Sequence, residues 1–113
     1  MPAETTVFLT LEGPRGIRQA VRTAADIAAA LAGGGNLVLD CDGVTEADLS
    51  LIQTILAARR SAARSGASVT LHKAPRGALL HALRRGGFLP DQDTPLGAAA
   101  AAPACWAGAE PVA

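Results

Sequence analysis

Leu37, Val38 and Leu39 form a continuous apolar run, preceded by Gly33, Gly34 and Gly35 and ended by Asp40 and Cys41. So short a run, with no polar residue alternating into it, suits a strand covered on both faces. Such a strand belongs at the centre of a sheet. On its N-terminal side, Val7, Leu9 and Leu11 alternate with Phe8 and Thr10, the period of a strand whose two faces are used differently. Gly13, Pro14 and Gly16 are expected to end that strand. From Ile17 onward, Val21, Ala24, Ala28 and Leu31 recur at three- and four-residue spacing, which predicts a helix with one buried stripe. Its start is open between Ile17 and a capping pair made by Thr23 and Asp26. The three glycines then stop it.

Beyond the central run, a turn at Asp42 and Gly43 leads into the longest helix. It carries Leu51, Ile52, Ile55 and Leu56 on one side, and Gly66 closes it. Val69 to His72 reads as the next strand. Pro75 is placed in a first helical turn, where a missing N–H is tolerated. Leu79, Leu80 and Leu83 form a third stripe, ended by Gly86 and Gly87. Strands alternating with helices imply crossovers within one sheet. The expected class is therefore α/β: a small mixed, mostly parallel sheet of about four strands, with about three helices packed on it.

A chain of 113 residues supports one core. The expected domain is 5–90. Residues 91–113 form an Ala/Pro-rich tail without the spaced large apolar residues that would offset its ordering entropy, and it is expected to be disordered. Trp106 is the residue there that could dock. Ten basic residues balance ten acidic ones, and only two Phe and one Trp are present, so neither a net field nor a stacking platform favours nucleic acid. No segment has the length and apolarity of a membrane span or a secretion signal, which points to a cytoplasmic protein without membrane insertion. Cys41 and Cys105 are not expected to pair, and the spacing of a metal site is absent.

The stretch from Asn36 to Phe88 resembles the core of a STAS domain, the fold of the anti-sigma-factor antagonists. Leu39-Asp40 ends a strand, Gly43-Val44 follows in a turn, and the segment from Thr45 to Ile52 opens a helix where the family has an Asp-Ser-Ser-Gly-like motif. Gly66, the strand from Val69 to His72, Pro75 and Gly87-Phe88 follow in the family's order. The resemblance implies a non-enzymatic regulatory module of bacterial signalling that needs no cofactor. Its implied partner is a regulatory protein, an anti-sigma kinase-like or chemotaxis signalling component. Alternatives within the family are a nucleotide-binding STAS protein and an accessory subunit of a lipid-transport complex. Aligned on Asp48, the family's phosphoacceptor position is Leu49, which has no hydroxyl; Ser50 is the remaining hydroxyl. Leu51 replaces the motif glycine, and the front of the chain has room for about one strand where the family has a hairpin. The implied partner surface comprises Val44, Thr45, Glu46, Asp48, Leu49, Ser50 and Leu51, with one of the two leucines pointing outward.

Other chemistries are weaker. Asp40, Asp42, Glu46 and Asp48 cluster at the end of the central strand, where open α/β sheets place ligands. Helix capping explains them better than metal binding: Thr45 can cap with Asp48, and the helix dipole favours carboxylates near its start. Those same carboxylates would repel a nucleotide, and no Gly-rich loop ending in Lys-Ser or Lys-Thr is present. His72, His81, Ser50, Ser61, Ser65 and Cys41 are the raw material for a triad, yet none lies in a nucleophile elbow. The arginines fall in three groups, Arg15/18/22, Arg59/60/64 and Arg76/84/85, as solvated faces or as docking points for an acidic partner. Removing Thr94 to Ala113 is expected to leave the melting curve nearly unchanged. A fall above about 5 °C, roughly 1 kcal/mol for a domain of this size, would place Trp106 in the core.

Overall fold

The computed structural model describes residues 5–88. Three strands and three helices alternate: β1 (Thr6–Arg15), a 3-10 turn (Ile17–Gln19), α1 (Ala20–Leu31), β2 (Asn36–Ala47), α2 (Leu49–Arg64), β3 (Val69–Leu71) and α3 (Gly77–Arg85). The sheet has the order β1-β2-β3 and both pairings are parallel, with β2 central as the apolar run required. The fold is α/β as expected, with three strands rather than about four among the described residues. The tail and Trp106 lie outside those residues.

Leu37, Leu39, Val69 and Leu71 are buried, and Leu11, Leu51, Ile52, Ile55, Leu79 and Leu83 complete the centre of the core. Each such side chain contributes roughly 1.5–3 kcal/mol of transfer free energy. Helices α1 and α2 lie side by side over this face. The other face carries Phe8, Val38 and Thr70 in register; Phe8 is exposed and the other two are half-buried. Central position, not coverage on both faces, accounts for the apolar run.

Both long strands run past their predicted ends. β1 continues through Gly13 and Pro14 to Arg15, and β2 continues through Asp42 and Gly43 to Ala47. The pairing absorbs the punctuation with register shifts between Thr10 and Glu12 and between Gly13 and Pro14. Gly13 has a φ of 71°, which a bulge uses, and Pro14 is tolerated because β1 is an edge strand. Beyond Leu71 the edge of β2 that faces β3 has no strand partner among the described residues, and α3 packs against β2 there. Arg76 at its start pairs with Asp42 at 3.0 Å, while Arg85 at its end donates to the Ala47 carbonyl at 3.2 Å. α3 begins at Gly77, after Pro75, so the proline precedes the helix instead of occupying its first turn. At its far end Phe88 N donates to Leu83 O and Gly87 N to Arg84 O, with Gly87 at a φ of 80°, a Schellman closure.

The predicted face of α1 is the wrong one. Val21, Ala24 and Ala28 are exposed, whereas Thr23 and Ile27 are buried. Alanine marks no face by itself, and six of the twelve α1 residues are alanine. The rotation of the helix is set by Ile27 and by Arg15, which donates to Thr23 Oγ1 at 3.3 Å and pairs with Asp26 at 3.2 Å. Thr23 and Asp26 therefore anchor the helix to the end of β1 and do not cap it. Replacing Ile27 by Ala should cost about 2–4 kcal/mol, and Val21→Ala less than about 0.5 kcal/mol, in urea unfolding. Equal costs would contradict the observed rotation.

Candidate protein-docking surface

The end of β2, the 3-10 turn and the start of α2 meet at Asp48. Its carboxylate caps α2, with Oδ1 accepting from Ser50 N at 2.9 Å and from Ser50 Oγ. Oδ2 accepts from Ile17 N at 2.9 Å, which ties the approach to α1 to the start of α2. Gly16 makes the approach possible, since a Cβ there would lie 3.0 Å from Oδ2. The Ser50 hydroxyl, followed by the backbone amides of Ile17, Ser50 and Leu51, holds the Asp48 carboxyl below the usual carboxylate range. The cap is Asp48 itself and not Thr45, which lies exposed within β2.

The seven residues expected at the partner surface divide in two. Thr45, Glu46 and Leu49 are exposed, and Asp48 and Ser50 are half-buried in the cap. Val44 and Leu51 are core residues, 5 % and 1 % exposed, and present no surface. Leu49, the first residue of α2, is 51 % exposed. Two apolar residues that the sequence reading had buried, Ile17 at 70 % and Val21 at 86 % exposure, lie at the same end of the helical layer. The hydrogen bond from Ile17 to Asp48 brings them there. A groove of about 720 Å³ runs on between α1 and α2, lined by Ala24, Ile27 and Ala28 on one side and by Gln53, Ala57 and Arg60 on the other.

The remaining candidates have separate structural uses. Asp42 pairs with Arg76 and, at 3.6 Å, with Lys73; the hydrogen bond from Arg76 lowers its pKa first. Asp40 accepts from the Asp42 amide at 3.1 Å, and Glu46 is exposed on β2. Among the described residues no three His, Cys, Asp or Glu side chains converge to hold a metal ion. Burial pushes the Cys41 thiol up to about 12, with Asp40 and Asp42 adding to the effect, so it is protonated at neutral pH. His72 packs edge-on against Phe8, with ring centroids 5.2 Å apart, and His81 is exposed on α3. Of the hydroxyl and thiol groups named as triad material, Ser50 is the one engaged by a carboxylate, that of Asp48, which serves as the cap of α2.

The family model described as "Mlab, STAS domain" matches residues 3–89. The chain belongs to the STAS domain family, whose members are in general regulatory binding modules like the anti-sigma-factor antagonists. A solved structure described as "Crystal Structure Analysis of Mglu" is similar in fold, with a TM-score of 0.54 and 22 % identity over 64 % of this chain. The chain spans 18 % of the length of that protein. The search of the curated proteins finds no match. No helix among the described residues is long and apolar enough to cross a membrane.

Asp48→Ala should destabilise the domain by about 1–2 kcal/mol at pH 7, the usual cost of a lost N-cap. Because the folded-state pKa is depressed below 3.8, the contribution is present above the unfolded value and is lost as the pH falls through the folded one. Urea midpoints of the two proteins should therefore converge in strong acid. A gap that persists undiminished there would show that the carboxylate charge is not what holds the two segments.

Proposed function

We propose that the chain is a non-catalytic, cytoplasmic regulatory module of bacterial signalling, which binds a protein partner through the surface where β2 gives way to α2. The observation that carries this reading is the half-exposed Leu49 at the first position of α2, beside the cap formed by Asp48. About half of that side chain is still in water, so complete desolvation by a partner would gain about half of the roughly 1.5–3 kcal/mol that burial of a fully exposed leucine gives. Thr45 and Glu46 flank it as polar rim residues, and Ile17 and Val21 extend it toward α1. The partner is an anti-sigma kinase-like or chemotaxis signalling component. Binding is constitutive, since the position that receives phosphate in related proteins is Leu49. Ser50 is a poor substitute: its hydroxyl is engaged by Asp48, and a phosphoryl group would face that carboxylate.

The family resemblance leaves a second reading, in which the same surface seats the chain on a larger subunit of a lipid-transport complex. The partner recovered from the native host separates the two. Leu49→Asp should then lower the affinity for that partner at least about tenfold, or 1.4 kcal/mol, by adding a charge that must be desolvated. Acidic side chains are favoured in a first helical turn, so circular dichroism should show the fold retained. Unchanged affinity of the folded variant would remove Leu49 from the interface.

A further inference from the structure

The helical layer carries a charge asymmetry that the neutral chain conceals. Three arginines serve the fold: Arg15 holds α1, and Arg76 and Arg85 hold α3. Five others, Arg18, Arg22, Arg59, Arg60 and Arg64, lie on the 3-10 turn, α1 and α2, and none of them makes an ion pair among the described residues. On the same elements, α2 contains no acidic residue, and the one carboxylate of α1, Asp26, is neutralised by Arg15. The groove between α1 and α2 lies within this basic field. Alanines, Ile27 and Leu31 form its apolar part, Arg60 and Arg64 are its charged lining residues, and among the described residues it is lined by no carboxylate.

We infer that this groove receives an amphipathic helix of the partner whose apolar edge is flanked by glutamate or aspartate. The lining extends from Ala20 to Leu31 on α1 and from Ser50 to Arg64 on α2, which at 1.5 Å per residue gives a slot of about 16–21 Å, three to four helical turns. The small side chains of Ala24, Ala28 and Ala57 let a third helix approach closely, and burying an apolar edge between two helices is a general mode of peptide recognition. Acidic flanks would meet Arg60 and Arg64 at the rim. A nucleic acid has no use for the apolar floor, and the described residues of the groove offer no aromatic ring for its bases. The inference rests on the reading of the chain as a protein-binding module and supplies the chemistry of the partner.

Two stapled helical peptides of about four turns, with the same leucine and alanine edge but flanked by glutamate in one and lysine in the other, test it by fluorescence anisotropy on the full chain. The glutamate peptide should bind at least tenfold more tightly. The double variant Arg60→Glu/Arg64→Glu, at two exposed positions, should reverse the preference, and Ala57→Arg should abolish binding while leaving the circular dichroism spectrum unchanged. Equal affinity for the two peptides, or glutamate-peptide binding untouched by Ala57→Arg, would overturn the inference. So would a tenfold gain in peptide affinity when Asp91, Asp93 and Glu110 are all changed to their amides, because the chain's own acidic segment would then be the occupant. Leu49 does not line the groove, so a host partner that ignores Leu49→Asp counts against the proposed docking turn and leaves the peptide result standing.

Discussion

The Asp48 carboxylate has two oxygens and three engagements: the amide and hydroxyl of Ser50 on one, the amide of Ile17 on the other. These satisfy an orphan donor at the start of α2 and link it to a segment 31 residues earlier in the chain. Without the link, α1 would be joined to the sheet only through Arg15 and its own packing. With it, the beginnings of α1 and α2 are held together, and the exposed apolar side chains of Ile17, Val21 and Leu49 share one end of the molecule. This exposed apolar cluster is thus a by-product of a helix cap.

The lengths of the strands follow from the same need to bring distant segments together. β1 and β2 remain paired to Arg15 and Ala47, well beyond the point where β3 stops. Parallel pairing there delivers Gly16 to Asp48, where the absence of a side chain permits the contact. On the opposite edge of β2, α3 lies in the space that a longer β3 would fill, and its two terminal arginines replace strand hydrogen bonds with an ion pair and a carbonyl contact. Arginine suits both tasks, because its fork can engage a carboxylate through two nitrogens, as Arg76 does with Asp42.

Much of this was legible in the sequence. The run from Leu37 to Leu39 identified the central strand, the period of Val7, Leu9 and Leu11 identified the inward face of β1, and Leu51, Ile52 and Ile55 the buried side of α2. What escaped depended on contacts between residues far apart. Asp42-Gly43 is a turn by local chemistry, but pairing of Glu12 with Gly43 and of Gly13 with Val44 keeps the segment extended. The face of α1 could not be read from alanines, and the buried threonine that orients it is explained only by Arg15. Within the expected site, a hydrophobicity pattern could not separate Leu49 from Leu51. Their burial follows from the helix beginning at Leu49, with Asp48 as its cap: two residues apart on a helix, the side chains diverge by about 200°, so one enters the core and the other leaves it.

That divergence also bears on the proposal that this STAS module works without a phosphoryl switch. A phosphoryl switch needs a hydroxyl at an exposed first-turn position, where the helix dipole tolerates the added charge and a partner feels it. Here the exposed position carries leucine, and the hydroxyl lies one residue later, engaged by the capping carboxylate. Phosphate on Ser50 would face Asp48 and remove the cap that holds α1 and α2 together, so the modification would act on the fold and not on the surface alone. The same geometry that leaves Leu49 half exposed engages the Ser50 hydroxyl with the capping carboxylate. On the proposed reading, regulation through this surface would depend on the supply of partner and of competing helices, for which an apolar groove bordered by arginines that make no ion pair among the described residues would provide the physical basis.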